Sequence, residues 1–144
     1  LLSSHFYHPK NKNKFGAQQL FSDGNGLIYP DFISKSTDPR LIVDAKYKPI
    51  ENIRGRDYLQ VLAYMYRFDA SQGYYIYPDS EGQVPLVLNL NKGSTYENNV
   101  STRDDVNIIK LGFKIPNKSA NYDDFKMQIH ESELVLQNFI NSQI

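Results

Sequence analysis

Two signatures alternate along this chain: short runs whose apolar residues are β-branched or aromatic, and longer stretches whose apolar residues recur every three or four positions. The short runs predict strands and the longer ones helices. Phe15–Phe21 predicts a strand, closed by the tight turn Ser22-Asp23-Gly24-Asn25-Gly26. Gly26–Ile33 and Leu41–Val43 predict two antiparallel strands, because the Ser, Asp and Pro within Ser34–Pro39 favour a turn between them. Arg54–Phe68 predicts a helix. Gly73–Tyr77 and Val84–Leu90 predict further strands, the second tolerating a proline near its start and so expected near a sheet edge. Asn91–Arg103 is polar and predicts a loop, Asp105–Ile115 a strand, and Tyr122–Ile140 a closing helix with Phe125, Ile129, Leu136 and Ile140 along one stripe. At the other end, Leu1–Tyr7 is expected to be the remnant of a helix, and His8–Lys14 a polar break. No internal repeat interrupts this alternation, which is that of an α/β protein.

Composition narrows the class. A chain of 144 residues, 40% hydrophobic and 22% charged, fits one soluble core. No window is apolar for long enough to cross a bilayer, and Leu1-Leu2-Ser3-Ser4 lacks the basic and apolar regions of a signal peptide, so the expected location is the cytoplasm. The absence of cysteine removes disulfides, Cys-ligated zinc and iron–sulfur clusters together. Net charge is zero, which argues against a strongly basic general DNA binder. The charge is nevertheless uneven: residues 1–68 hold ten Lys and Arg against six Asp and Glu, and the remainder holds six against ten.

Candidate chemistry collects in the basic half. With the turn centred near Thr37, Asp31 falls opposite Val43 or Asp44, which brings the carboxylates of Asp31 and Asp44 to about 5 Å across the ladder. One divalent ion can then contact both. Lys46 lies two residues beyond Asp44, and alternation along a strand projects it to the same face about 6.5 Å further on. Gln60 and Tyr64 sit one turn apart on one face of the predicted helix. Arg54 and Arg56 at the start of that helix, and Lys48, are candidates for phosphate contact. The lysines Lys10, Lys12 and Lys14 form a solvated run that can also touch a phosphate backbone.

Pro30-Asp31 followed by Asp44-Ala45-Lys46 resembles the two halves of the PD-(D/E)XK nuclease motif, and the Gln60/Tyr64 pair is similar to the third motif of the RecB-like group. The strings LIVDAKYKPI, RGRDYLQVLAYMY and GYYIYP look most like the nuclease domain of McrC-type restriction subunits. The resemblance spans Gly26–Pro78 and implies a restriction-endonuclease-like mixed β-sheet flanked by helices. It implies Mg2+ as cofactor, with Mn2+ as a substitute, held by Asp31, Asp44 and the carbonyl of Ala45. Lys46 would orient or help activate the attacking water and stabilise charge on phosphorus, while Gln60 and Tyr64 would hydrogen-bond water or the scissile phosphate. DNA is the implied substrate and a separate AAA-type GTPase motor the implied partner, since no GxxxxGK[ST] loop occurs here; dimerisation for double-strand cleavage is a further expectation. Residues 1–144 are expected to form a single nuclease domain lacking an N-terminal region.

Two other readings remain open at this point, a stand-alone RecB-like nuclease of repair or mobile elements and a catalytically silent module of the same fold. Asp44 directly follows Leu41-Ile42-Val43, where an unpaired buried carboxylate is costly, and that favours a function for it. Many relatives add an upstream acid or histidine to the metal shell. Here Asp23 is the only upstream acid, in a turn, and His5 and His8 are the other candidates. His130, in the distal helix, is expected to be structural.

Overall fold

The computed structural model describes residues 4–9, 16–93 and 101–143. Its centre is β5 (Leu41–Ala45), whose first four residues are all buried. Such a run, apolar on both faces, suits a strand covered on both sides. Five further strands complete a mixed sheet: β1 (Phe6–Tyr7), β4 (Phe32–Ser34), β6 (Gln72–Asp79), β7 (Leu86–Asn91) and β8 (Thr102–Lys114). Their spatial order is β1-β4-β5-β6-β8-β7. β5, β6 and β8 run parallel, while β4 and β7 pair antiparallel with their inner neighbours and β1 antiparallel with β4. A separate two-stranded ribbon joins β2 (Gln18–Gln19) to β3 (Leu27–Ile28). This is the expected α/β architecture, a mixed sheet between helices.

Alternation along β5 and β6 divides the core in two. Ile42, Tyr75 and Tyr77 pack with Val61, Tyr64 and Met65 of α1 (Arg56–Arg67) on one face. Leu41, Val43 and Tyr74 pack with Leu136 and Ile140 of α2 (Tyr122–Asn141) on the other. The first helix lies close because Gly73 leaves room; a Cβ there would stand 2.6 Å from both Met65 Sδ and Val61 Cγ1. The second begins at Asn121, whose side chain accepts from Asp124 N at 2.9 Å, with Asp123 and Asp124 in the electropositive first turn.

Several expectations need correction. Phe6–Tyr7 is an edge strand, not the end of a helix, and pairs with Ile33 and Ser34. Gly26–Ile33 is not one strand: the ladder breaks at Tyr29-Pro30-Asp31, with β3 paired to β2 and β4 to β5. Pro30 has no N–H for a ladder, so a strand changes partners there without losing a bond. Of Phe15–Phe21 only Gln18 and Gln19 are extended in a ladder. β8 starts at Thr102, inside the stretch expected as a loop. On α2, Leu136 and Ile140 are buried while Phe125 is 37% exposed, so the stripe is covered only toward its C-terminal end. β7 is an edge strand, as its proline-tolerant start suggested. Lys10, Lys12 and Lys14 lie outside the described residues.

Candidate active site

The site lies where β4 begins and β5 ends, beneath α1. The β4/β5 register pairs Phe32 with Val43 and Ile33 with Ile42, so its continuation sets Asp31 opposite Asp44. Asp31 is bonded across the gap, Oδ2 accepting from Ala45 N at 2.8 Å. The main chain of Lys46 carries the parallel pairing one residue past β5, its N–H donating to Ile76 O at 2.8 Å. Lys46 therefore keeps the alternation and shares the α1 face with Ile42 and Asp44.

Lys46 joins strand to helix. Its Nζ lies 2.7 Å from Asp44 Oδ2 and 3.4 Å from Asp57 Oδ1, and it donates to Gln60 Oε1 at 3.0 Å. Gln60 in turn donates from Nε2 to Tyr64 OH at 2.7 Å, a one-turn link along α1. The helical pair and the strand lysine thus form one connected chain, as the spacing of Gln60 and Tyr64 suggested. Asp44 is only 3% exposed. Its Oδ2 forms an ion pair with Lys46 Nζ and has no other partner among the described residues.

The electrostatics follow from this crowding. Burial pushes the Asp44 carboxyl above its ordinary value despite Lys46, and the nearby charges of Asp31 and Asp57 push the same way. Burial works against the Lys46 ammonium, but Asp44 and Asp57 outweigh it and raise its pKa, so the lysine stays charged. The Tyr64 hydroxyl, 2% exposed as a residue, is raised chiefly by burial and remains protonated. A carboxylate short of compensating positive charge beside a fixed ammonium is a place where one more cation is stabilised.

The remaining candidates are placed as follows. Lys48 Nζ is engaged by Asp57 Oδ2 at 2.6 Å rather than free for a phosphate. Arg54 and Arg56 are exposed at the start of α1. His8 Nδ1 donates to the carbonyl of Asp31 at 2.7 Å, and its ring stacks on Phe32 with centroids 4.9 Å apart. That bond leaves the lone pair of the neutral ring on Nε2. His5 contributes only its carbonyl, which accepts from Lys35 N. Asp23 is occupied in its own turn by Asn25. His130 is exposed, 3.6 Å from Glu133, and its side chain has no core role.

One residue escaped sequence reasoning. Asp57, in the first turn of α1, reads as an ordinary acid favoured by the helix dipole, three residues before Gln60. It accepts from Arg54 N at 3.1 Å and from Lys48, and its carbonyl accepts from the hydroxyl of buried Tyr75. Burial opposes its charge, but Lys48, Arg54 N and Lys46 together hold the carboxyl below its usual range. An acid so soon after a D-x-K sequence was the available signal.

The donors fit a hard cation. Two carboxylates and a backbone carbonyl are all oxygen, Asp44 Oδ2 lacks a hydrogen bond, and Mg2+ needs few protein ligands because it keeps several waters. No cluster of three or more His, Cys, Asp or Glu side chains able to hold a metal occurs among the described residues, so waters and the carbonyl would complete the shell.

Comparison with protein families gives a match. Residues 1–78, just over half of the chain, match the model of the McrBC 5-methylcytosine restriction system component. The chain belongs to this family. The match ends at Pro78, within β6, so Asp31, Asp44, Lys46, Asp57, Gln60 and Tyr64 all fall inside the part of the chain that resembles McrBC components. No match was found among curated proteins. Among the described residues no helix is long and apolar enough to cross a membrane.

Proposed function

We propose that this McrBC component is the cleavage subunit of its restriction system, a Mg2+-dependent endonuclease of the PD-(D/E)XK type that hydrolyses DNA phosphodiesters. The observation that supports this most is the shared face of Asp44, on β5, and Lys46, just past its end, with Asp31 bonded across at Ala45 and Lys46 bonded to Gln60. Asp31, Asp44 and the Ala45 carbonyl would hold the metal. Bound there, Mg2+ supplies Lewis-acid neutralisation of phosphate charge and a more acidic water.

The protein's own groups do the rest. Lys46, charged and fixed by Gln60, presents an ammonium to the phosphate and stabilises the charge that grows on its oxygens in the transition state. Gln60 orients Lys46, and the protonated Tyr64 hydroxyl locks Gln60 in the rotamer that does so. Arg54 and Arg56, exposed beside the site, contact the DNA backbone, and Lys48 joins them when the phosphate competes for it with Asp57. His8 stacks on Phe32, on the α2 face of the sheet, and so lies away from the metal shell. The motor function belongs to a GTPase partner, and double-strand cleavage to paired copies of this chain.

The test is nicking of supercoiled methylated plasmid by the chain with its restriction partner, in Mg2+ or Mn2+. Asp31→Ala and Asp44→Ala are expected to lower the rate by at least about 100-fold, the scale of removing one preorganised electrostatic group. Circular dichroism establishes that each variant is folded. Near-normal cleavage by a folded Asp44→Ala chain overturns the catalytic assignment. No cleavage by the parent chain favours a silent module.

A further inference from the structure

We infer that Asp57 is a positioning residue: it keeps Lys46 in place once a divalent cation takes over Asp44, a role that rests on the metal-site reading above. Lys46 Nζ faces three groups, the carboxylate of Asp44 at 2.7 Å, the amide oxygen of Gln60 at 3.0 Å and the carboxylate of Asp57 at 3.4 Å. A cation on Asp44 removes the nearest of these and repels the ammonium. Gln60 is neutral, so the charge that can then retain Lys46 is that of Asp57.

The carboxylate is built for such a task. One oxygen, Oδ2, is anchored by Lys48 Nζ at 2.6 Å and by Arg54 N at 3.1 Å, while the other, Oδ1, faces Lys46. The main chain is held as well, through the bond from the Tyr75 hydroxyl to the Asp57 carbonyl. A residue whose role was only to tie the chain entering α1 through Arg54 N would need Oδ2 alone. The orientation of Oδ1 and the presence of Lys48 are unexplained by that bond. Lys46 thus stands between two carboxylates, one to be surrendered to the metal and one fixed in position.

A double-mutant cycle read by Mn2+ binding to the full chain tests this, with isothermal titration as the measurement. Asp57→Asn keeps an oxygen for Arg54 N but removes the charge, leaving Lys46 to lean wholly on Asp44 and compete with the metal. The expected result is a loss of Mn2+ affinity of roughly tenfold in the parent chain and about twofold or less in a Lys46→Met background. Equal losses in the two backgrounds overturn the inference, because Asp57 then acts as a distant charge on the metal, not through Lys46. No loss in either background overturns it too. Asp57→Ser, whose hydroxyl oxygen can also accept from Arg54 N, replaces Asp57→Asn in the cycle if that variant does not fold. A parent chain that binds no Mn2+ sinks the metal site itself, and is distinguishable from a chain that binds Mn2+ without coupling.

Discussion

Lys46→Met keeps most of the side chain's length and removes its charge, and its consequences can be worked from the contacts. Lys46 is 16% exposed and Asp44 5%, so the pair is largely desolvated. Breaking a buried ion pair by deleting one partner costs about 3–5 kcal/mol, because the other charge is left uncompensated. Partial exposure of Lys46 and the packing of a Met stem reduce this, so the expected loss is about 2 kcal/mol. For a chain of this size that corresponds to a fall of about 4–8 °C in the unfolding midpoint. Urea and thermal unfolding in metal-free buffer at neutral pH measure it. Cleavage should fall by at least about 100-fold under conditions where the variant is fully folded. A variant as stable as the parent would show that Asp44 does not depend on Lys46 for compensation. Cleavage within about tenfold of the parent would show that Lys46 does not act on the transition state.

Two further expectations concern the frame of the site. Gly73→Ala sets a Cβ 2.6 Å from Val61 Cγ1 and Met65 Sδ; Met65 can bend away but β-branched Val61 cannot, so the variant should lose about 1–3 kcal/mol in urea unfolding, and an unchanged midpoint would show that α1 does not lie this close to β6. Asp79 accepts from Glu81 N at 3.0 Å and Gln83 N at 2.6 Å, and although burial opposes its charge these bonds hold the carboxyl below its ordinary value, so its contribution is complete above the unfolded carboxyl pKa and disappears as pH falls through the lower folded value. Asp79→Asn should therefore cost about 1–2 kcal/mol at pH 7 and progressively less below about pH 4, and an equal cost at pH 7 and pH 3 would rule that linkage out.

Much of this arrangement was legible in the sequence because period-2 patterning and one buried strand constrain each other. Leu41-Ile42-Val43 announced a strand, and alternation along it set Asp44 and Lys46 on one side. The turn centre near Thr37 gave the register to within a residue. The helix carrying Gln60 and Tyr64 was equally plain from its spacing. What stayed hidden were features without a periodic signature. A partner switch at Pro30 involves single residues, and an edge strand of two residues, Phe6–Tyr7, is too short to show alternation. Asp57 was hidden for a different reason: an acid in the first turn of a helix is ordinary, and only its distances to Lys46 and Lys48 distinguish it.

The division of the chain at the end of β6 has an evolutionary meaning. His8 through Tyr75 supply every side chain discussed at the site, whereas β7, β8 and α2 contribute a strand that flanks β6 and a helix against the far face of the sheet. Those later elements supply apolar cover on both faces, Ile108 toward α1 and Leu136 and Ile140 over Leu41, Val43 and Tyr74, together with the buried Lys110, whose Nζ donates to Ile53 O at 2.7 Å. Selection on chemistry therefore bears on the first half and selection on volume and polarity on the second. Related chains should diverge faster past β6, and a chimera joining this front half to a foreign backing of matched shape should keep its reaction while changing its outer surface.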